Sequence, residues 1–390
     1  MTDPIAVYVH IPFCTVKCGY CDFNAYAGLH HLADRYHEAL LADLDSWAPD
    51  LRGRAVSSIG FGGGTPSEVP AAHIASVIDR VRALGTLESD AEITLEANPG
   101  TLTGSYLRDL FAAGVTRLSI GAQSFDATEL RFLDRIHSPE ATTAAVGLAR
   151  EAGFTNLNLD LIYGLPGHTP GTFAPTLAAA IALRPDHISA YALTVEEGTP
   201  LAARVASGAV ILPTDDDLAA IYDAASLTLE AAGYGQYELS NWARPGYESR
   251  HNTAYWLHRD YVGIGAGAHG FVAGSRFENI ARPADYIAAL LSPTADPTTH
   301  PGVSAAYTPA GPDAIADWLS VRLRLLAGFT PLEFRHDFGV PFEDVVGPVV
   351  ERAAQAGVLA VNDRVHLTTA GRLLHGELIV DFLTHLHQAG

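Results

Sequence analysis

The sequence predicts an α/β protein whose central strands form one parallel sheet. Short runs rich in β-branched residues alternate with Ala- and Leu-rich amphipathic stretches, which is typical of β-α units joined by right-handed crossovers. Such a sheet either opens into a doubly wound form or curls into an incomplete barrel. The predicted strands are 6–11, 57–61, 92–97, 117–122, 157–163 and 187–193, and the predicted helices between them are 33–47, 71–84, 104–113, 141–152 and 172–183.

The length of the chain indicates more than one folding unit. At 390 residues the chain exceeds the roughly 250–300 residues at which single cores stop growing. From about residue 231 the pattern changes to shorter aromatic- and Gly-rich pieces, which predict antiparallel or irregular β structure closing one side of the barrel. We expect a first domain at 1–230, a β-rich extension at 231–291, a Pro-, Thr- and Ala-rich linker at 292–312 and a small C-terminal domain at 313–390.

The C-terminal domain is predicted to be mostly helical. Its final helix carries Leu374, Leu378, Phe382 and Leu386 on one face. We expect this face to dock onto the barrel, with peripheral membrane contact or contact with a partner protein as the alternatives. Helices are predicted at 313–326, 331–338, 342–356 and 371–386, with a short strand pair at 362–367, an arrangement that resembles a small winged helix.

Composition and charge disfavour several classes of function. Lys and Arg total 24 against 44 Asp and Glu, and no basic cluster appears, so nucleic-acid binding is not expected. Three cysteines cannot form a paired disulfide framework, which indicates a reducing compartment. The N-terminus has no basic stretch followed by a long apolar run, and no apolar run approaches the ~20 residues that cross a bilayer. We therefore expect a cytoplasmic protein without a transmembrane segment.

Cys14, Cys18 and Cys21 are the only cysteines, and their spacing is C-x3-C-x2-C. Thiolates are the usual protein ligands of iron–sulfur clusters, and three of them leave one iron of a cubane cluster without a protein ligand. Structural zinc sites instead take four ligands, commonly from C-x2–4-C pairs. The spacing predicts a [4Fe-4S] cluster. The alternatives are zinc with a histidine as the fourth ligand, or three unrelated buried thiols.

Three candidate site segments follow consecutive predicted strands. The cysteine loop follows the first strand, the turn GGGTP at 62–66 follows the second, and Glu96 ends the third. The glycine turn lacks the G-x-G-x-x-G spacing of dinucleotide-binding folds. Because ligands gather at the carboxyl ends of parallel strands, we expect all three segments to meet at one mouth.

Motifs along nearly the whole chain resemble those of the radical S-adenosylmethionine (SAM) family. The run YVHIPFC-x3-CGYCDF at 8–23 resembles in particular the branch that contains the oxygen-independent coproporphyrinogen III dehydrogenases and the HemW-type heme chaperones. The other matching motifs are GGGTP (62–66), LEANPG (95–100), LSIGAQSF (118–125), LDLIYGLPG (159–167), YELSNWA (237–243), RHNTAYW (250–256) and GIGAGAHG (263–270). This resemblance implies a partial (β/α)6 TIM-like barrel with a β extension and a small C-terminal domain.

The resemblance also implies cofactors and the residues that hold them. In this family the open iron binds the amino and carboxylate groups of SAM, and an electron from the cluster, supplied by a donor such as flavodoxin or ferredoxin, cleaves the sulfonium. By their positions in the motifs, Tyr8, Tyr20, Gly63, Gly64, Thr65 and Glu96 contact SAM, and Gln123, Arg135 and Asp160 hold a second SAM. Simpler interpretations are a strand-end carboxylate for Glu96, a surface ion pair for Arg135, and an Arg135–Asp160 pair.

Two features separate the branches of this family. The dehydrogenases carry a further cysteine after the third, whereas here Cys21 is followed by Asp22 and Phe23, as in the chaperones. Residues 251–256, HNTAYW, match the H-N-x-x-Y-W signature of the chaperones. With no internal methionine and every cysteine assigned to the cluster, a heme iron would need histidine or tyrosine. The candidates are His251, then Tyr255 and His269, and a structural role is the alternative for His251.

The resemblance therefore implies a heme chaperone that binds heme, a [4Fe-4S] cluster and SAM. Such a protein passes heme to an acceptor, for example a respiratory hemoprotein. The alternatives are a radical SAM methyltransferase of the two-SAM type and a coproporphyrinogen III dehydrogenase. Whether SAM is cleaved during function stays open at this point.

Overall fold

The computed structural model describes residues 3–389. Its centre is a set of parallel strands, each hydrogen-bonded to the next in chain order. Numbered first to sixth, these strands are Ile5–Ile11, Ala55–Gly63, Thr86–Ala97, Arg117–Gln123, Asn156–Tyr163 and His187–Ala192. Each predicted strand overlaps one of them, so the predicted α/β fold with a parallel sheet is confirmed.

The parallel strands curve around a common polar interior. One small cavity is lined by residues of all six strands: Tyr8, Gly60, Thr94, Ser119, Asp160 and Tyr191. Outward-facing positions such as Val9, Leu95 and Leu159 are fully buried apolar residues of the main core. Among the described residues, the first and sixth strands do not pair with each other, because each pairs with a strand outside the six. The sheet is therefore an open, partial barrel.

Helices cover the outer face of this sheet. Several begin at a hydroxyl side chain that accepts a backbone N–H, as Thr103, Ser138, Thr169 and Thr214 do, and such caps stabilise helix starts. The helices are Ala33–Ser46, Ala48–Leu51, Ala71–Leu84, Gly104–Ala113, Ala127–Phe132, Pro139–Glu151, Pro170–Ala182, Pro200–Ala206 and Asp215–Ala231, with short 3-10 turns at His30–Leu32, Pro66–Glu68 and Pro99–Thr101.

Further strands extend both edges of the sheet. Beyond the sixth strand lie Asn241–Ala243 and Gly235–Glu238, both antiparallel. Beyond the first strand lies Tyr261–Ile264, which is parallel, followed by the antiparallel strands His269–Val272, Ser275–Asn279 and Val303–Tyr307. The helices Arg250–Trp256 and Pro283–Leu290 belong to the same region. The predicted β extension is therefore divided between the two edges, instead of closing one side.

The segment predicted as a linker, 292–312, contains regular structure. Pro297–Thr299 forms a 3-10 turn, and Val303–Tyr307 pairs with Ser275–Asn279 as the outermost strand of the sheet. This strand is short and mostly exposed, so its sequence shows no alternation between apolar and polar residues. An edge strand is held by backbone pairing on one side alone, which explains why composition did not reveal it.

The C-terminal module, 312–389, has a core of its own. Leu378, Phe382 and Leu386 of the final helix pack there with Trp318 and Val346. The expected docking of this face onto the barrel is thus wrong, because the module's other helices supply the apolar partners. The elements are the helices Pro312–Arg322, Pro331–Phe338, Phe342–Gln355, Thr369–Arg372 and His375–Ala389 and the strand pair Leu359–Val361 and Val365–Leu367.

Polar contacts fasten this module to the rest of the chain. The Leu326 N–H donates to the Tyr237 carbonyl at 3.0 Å, and Arg324 pairs with the fully buried Glu238 at 3.1 Å. The Arg324 guanidinium also lies 4.3 Å from the ring centre of Trp256. Arg324 therefore joins the module to both the sheet edge and the helix Arg250–Trp256. Within residues 3–389, no helix combines the length and apolar character that a bilayer span requires.

Candidate functional site

The cysteine loop, residues 14–21, leaves the carboxyl end of the first strand. Cys14 belongs to the two-residue strand Phe13–Cys14, which pairs with Tyr26–Ala27 and so fixes where the loop begins. Inside the loop the Cys21 N–H donates to the Cys18 carbonyl at 3.1 Å. Lys17, the only lysine of the sequence, donates through Nζ to the Phe23 carbonyl at 3.0 Å. These bonds close the loop that carries the three thiols.

The three cysteines line a cavity of about 420 Å³ at the carboxyl ends of the parallel strands, called here the site cavity. The lining includes most of the residues that the sequence analysis singled out: Cys14, Cys18, Tyr20, Cys21, Gly63, Gly64, Thr65, Glu96, Gln123, Arg135 and Asp160. Tyr8 lies one level deeper, in the small cavity lined by all six strands, called here the inner chamber. The expected convergence of the cysteine loop, the glycine turn and Glu96 is therefore observed.

Three thiols of one loop that line one cavity are the kind of donor set that an iron–sulfur cluster takes, and polar groups lie next to them. The Cys14 Sγ lies 3.3 Å from the Thr65 hydroxyl, and Arg135 Nη1 lies 3.9 Å from the Cys18 Sγ. Burial raises the pKa of the Cys14 thiol to about 11 and also raises the pKa of Cys21. The thiolate form therefore needs a bound cation, and a coordinating metal deprotonates a thiol outright. Among the described residues, no group of three or more His, Cys, Asp or Glu side chains is placed to hold a metal ion, so the three thiols are not preset at metal-ligand geometry.

The glycine turn is packed tightly against the first strand. Gly63 has φ +109°, and a Cβ at this position would lie 2.5 Å from the His10 ring. The Gly64 N–H donates to the Ile11 carbonyl and the Thr65 N–H to the Phe13 carbonyl, both at 2.8 Å. Only glycine meets both requirements at position 63. The resemblance implies that these glycines contact SAM, and their packing against the first strand is a second reason for glycine here.

His10 was not singled out by sequence analysis, although it lies within the first motif. Its Nε2 lies 2.9 Å from the Asn24 carbonyl, which can only accept, so this nitrogen carries the proton. Nδ1 therefore accepts from the Tyr8 hydroxyl at 3.0 Å. Burial lowers the pKa of His10, which keeps the ring neutral. A buried histidine next to Gly63 becomes visible only through the strand register that places His10 beside Gly62.

Two carboxyl groups, Glu96 and Asp160, face both cavities. The Glu96 side chain is exposed to the cavity, and the surrounding strand ends enclose it there. Burial, reinforced by the charge of Asp160, raises the pKa of Glu96 to about 7. Burial also raises the pKa of Asp160, which accepts from the Ser119 hydroxyl at 2.9 Å and from Asn158 Nδ2 at 2.8 Å. Such a pair suits a ligand that brings positive charge.

Gln123 and Arg135 reach the site cavity from the end of the fourth strand and from the loop after Ala127–Phe132. Gln123 has φ +63°, a strained conformation for a residue with a side chain, and such strain clusters at functional sites. Arg135 Nη2 donates to the Gly121 carbonyl at 3.0 Å. Among the described residues, no ion pair joins Arg135 to Asp160 or to another carboxylate. The two ion-pair alternatives for Arg135 are thus not observed.

The helix Arg250–Trp256, called here the HNTAYW helix, closes the opposite, amino end of the barrel. His251 Nδ1 lies 2.9 Å from the Ser58 hydroxyl and Nε2 lies 2.7 Å from the Tyr255 hydroxyl. Burial lowers the pKa of His251 to about 4, so its ring is neutral at pH 7. Both ring nitrogens are engaged, and a Cβ on Gly60 would lie 2.5 Å from this ring. Iron ligation by His251 would require one of these bonds to break.

The remaining heme candidates occupy different places. Tyr255 lines the inner chamber together with His251. His269 is exposed at the start of the strand His269–Val272 and lines neither cavity. The structure therefore does not bring the three candidates to one point, and none of them lines the site cavity.

Arg117 is a further residue that sequence reasoning missed. It is 3% exposed and lines the inner chamber, and its Nε has no hydrogen-bond partner among the described residues. Its charge opposes the burial effect on the pKa values of Glu96 and Asp160. The only available signal was an arginine at the first position of a strand, which is not specific.

Fold and site together define a radical SAM protein, with three cysteines in one loop at the carboxyl end of a partial barrel. The Radical SAM superfamily domain matches residues 8–180, and the HemN C-terminal domain matches residues 312–374. The fold is similar to a solved structure of Escherichia coli coproporphyrinogen III oxidase (HemN), described as a radical SAM enzyme. The TM-score is 0.82 at 27% identity, covering 98% of this chain and 91% of that one.

Comparison with curated proteins identifies the family within this class. The chain is 40% identical over 382 residues to the heme chaperone HemW of Mycobacterium tuberculosis, covering 95% of this chain and 93% of that protein. It is 39% identical to HemW of E. coli, covering 97% and 98%, and 33% identical to HemW of Bacillus subtilis, covering 98% and 100%. The chain belongs to the HemW family, which confirms the resemblance seen in its motifs.

Proposed function

We propose that this protein binds heme and passes it to an acceptor hemoprotein, while holding a [4Fe-4S] cluster and SAM in the site cavity. The observation that carries the proposal is the 40% identity over 382 residues, 95% of the chain, to a protein named as a heme chaperone. The absence of a further cysteine after Cys21 supports it, since Asp22 and Phe23 follow directly.

In this proposal Cys14, Cys18 and Cys21 hold the cluster, which supplies redox chemistry toward the sulfonium of SAM when bound. Gly63, Gly64 and Thr65 form the wall next to SAM, with Tyr20 on the cysteine loop and Tyr8 below. The carboxyl groups of Glu96 and Asp160 attract the positive charge of SAM, and Gln123 and Arg135 bind its polar groups or those of a second molecule. All these residues except Tyr8 line the site cavity.

The partners follow from the same reasoning. A respiratory hemoprotein is the proposed acceptor, and a flavodoxin or a ferredoxin the proposed electron donor. Cytoplasmic placement agrees with three unpaired cysteines, since thiols stay reduced in that compartment.

A second candidate function is oxidation of a porphyrinogen, favoured by the 0.82 TM-score to E. coli HemN. The two candidates differ in their products. A chaperone returns heme unchanged, whereas the enzyme consumes SAM in step with its substrate and releases 5′-deoxyadenosine. A two-SAM methyltransferase would instead release S-adenosylhomocysteine.

The test is anaerobic reconstitution of the full chain with iron and sulfide, followed by parallel assays. We expect about four iron and four sulfide ions per chain, a Soret shift on titration with hemin, and transfer of that heme to a heme-free acceptor. The triple Cys→Ser variant at positions 14, 18 and 21 is the control and should retain no cluster. A reconstituted chain that leaves the hemin spectrum unchanged would contradict the proposal, as would coproporphyrinogen turnover at enzymatic rates.

A further inference from the structure

The geometry points to a specific place for heme: its porphyrin ring lies across the mouth of the site cavity, on an apolar rim formed by Val16, Phe23 and Ile136. This inference rests on the proposed function and assigns it a site. It places heme at the carboxyl end of the barrel, above the cysteines, and not at the HNTAYW helix.

The inner chamber next to the HNTAYW helix is too small and too well bonded for heme. Its volume is about 130 Å³, below the roughly 300–1,000 Å³ of ordinary cofactor sites. His251 is 5% exposed, and both ring nitrogens have hydroxyl partners within 2.9 Å. Glu92 holds the start of this helix by accepting from the N–H groups of Arg250 and His251. Heme could enter only if the helix left the barrel.

The rim of the site cavity has the opposite character. Phe23 is 62% exposed and Ile136 is 58% exposed, and Val16 is nearly half exposed. All three line the same cavity, although Val16 and Phe23 flank the cysteines and Ile136 follows the helix Ala127–Phe132. Exposed apolar side chains that cluster around one opening mark a ligand or partner site. A flat, apolar macrocycle is the ligand that such a rim accommodates.

The charged residues around the cavity determine which way the carboxylate arms of the porphyrin point. Lys17 lines the cavity beside Val16 and is exposed. The acidic residues of the lining include Asp22, Asp134 and Glu196, and Asp134 already accepts from the Gly19 N–H at 3.0 Å. The carboxylate arms of heme therefore point toward Lys17 and solvent, away from these acids.

The test is hemin titration of the cluster-loaded chain, followed by difference spectra, with two rim variants and two matched controls. Phe23→Ala is paired with Phe111→Ala, and Ile136→Ala with Ile211→Ala. Phe111 and Ile211 are also exposed but line neither cavity. We expect each rim variant to weaken hemin binding about tenfold, as loss of a central apolar contact does, with the controls close to wild type. Iron content per chain is measured for every variant. If Phe23→Ala loses iron, Ile136→Ala still tests the rim, because Ile136 lies outside the cysteine loop.

The outcomes separate this inference from the proposed function. If the wild type binds hemin and both rim variants bind it equally well, the rim site is wrong and the chaperone function stands. Equal weakening in rim and control variants would indicate adsorption to any apolar surface and would also overturn the rim site. If Tyr255→Phe weakens hemin binding while the rim variants do not, heme belongs at the HNTAYW helix. If the wild-type chain does not bind hemin, both the chaperone function and the rim site are wrong.

Discussion

His10 and Gly63 illustrate how single residues shape the site. The ring of His10 occupies the space that a side chain at position 63 would need, since a Cβ there would lie 2.5 Å from it. The same ring connects the Tyr8 hydroxyl to the Asn24 carbonyl. Gly63 therefore serves the packing of the first two strands as well as the cavity wall.

Replacing Gly63 by alanine should lower the free energy of unfolding by about 2–4 kcal/mol. A left-handed backbone costs an alanine about 1–2 kcal/mol, and displacing the His10 ring adds a similar amount. Gly167→Ala is the matched control, because Gly167 has φ +79° but a Cβ there would meet no atom within 4 Å. Urea unfolding followed by circular dichroism measures both variants. Equal losses would show that His10 does not restrict position 63.

Glu96 should make SAM binding depend on pH. Its pKa is raised to about 7, so the free chain carries this group mostly protonated at pH 6 and ionised at pH 8. If the ionised form binds the cationic ligand, affinity should rise about tenfold from about pH 6 to about pH 8. Glu96→Gln should flatten this rise, and Glu151→Gln, a surface change, should not. Calorimetric titration at several pH values measures the slopes. If SAM affinity rises with pH equally in Glu96→Gln, a titrating group other than Glu96 causes the rise.

Among single residues, the sequence identified those that belong to motifs. It missed those whose role depends on which residue of the neighbouring strand they face. Cysteines, glycines and Glu96 are recognisable from residue type and spacing. Arg117, Ser58 and His10 look like ordinary strand residues, because their importance depends on which neighbouring strand position they face. The strand register depends on the whole sheet, so it cannot be predicted from the sequence of a single segment.

The HNTAYW helix shows how one element is positioned by its first turn. Glu92 of the third strand is 6% exposed and accepts from the Ser249 hydroxyl and from two backbone N–H groups of the helix. A carboxylate at a helix start satisfies groups that have no partner within the helix. Together with the contact between His251 and Ser58, these bonds hold the helix against the barrel.

Glu92→Gln should therefore destabilise the chain by about 2 kcal/mol, since buried hydrogen bonds to a charged group are worth about 1.5–3 kcal/mol. Glu88→Gln is the control on the same strand. Glu88 pairs with Arg250 of the same helix, but both side chains are partly exposed, and such pairs contribute less than about 1 kcal/mol. Chemical unfolding of both variants gives the comparison. A larger loss for Glu88→Gln would contradict this account of the helix start.

Elements with a strong pattern were predicted well, and elements held by pairing alone were not. The helices Ala71–Leu84, Gly104–Ala113 and Pro331–Phe338 have the predicted bounds. The edge strand Val303–Tyr307 was missed because its neighbours, not its own sequence, make it a strand. The final predicted helix is divided into Thr369–Arg372 and His375–Ala389, a break that the apolar spacing does not reveal.

Over the whole molecule, Arg324 links three parts of the chain. It belongs to the C-terminal module, pairs with the fully buried Glu238 at the sheet edge, and stacks over Trp256 of the HNTAYW helix. The position of the module is thereby coupled to the helix that closes the amino end of the barrel. No motif in the sequence indicates this contact, because its members are far apart along the chain.

Arg324→Ala should destabilise the full chain by about 2 kcal/mol, because it leaves the Glu238 carboxylate buried without a cation. It should also increase protease cleavage within 292–311, the segment next to the module. Arg352→Ala is the control, since the pair between Arg352 and Asp381 is about half exposed and lies within the module. Thermal unfolding and timed digestion with proteinase K, which needs no basic residue in that segment, measure the two effects. A chain that tolerates Arg324→Ala as well as Arg352→Ala would show that the module is held by other contacts.

Lys17 supplies the molecule's single side-chain amine, and it lies on the cysteine loop with Nζ bonded to the Phe23 carbonyl. An amine-directed reagent consequently has two targets, this side chain and the N-terminal amine, and their different basicities allow pH to separate them. A fluorophore or spin label attached in this way reports from the edge of the cavity. No engineered thiol is needed, so nothing is added that competes with the native sulfur ligands for iron.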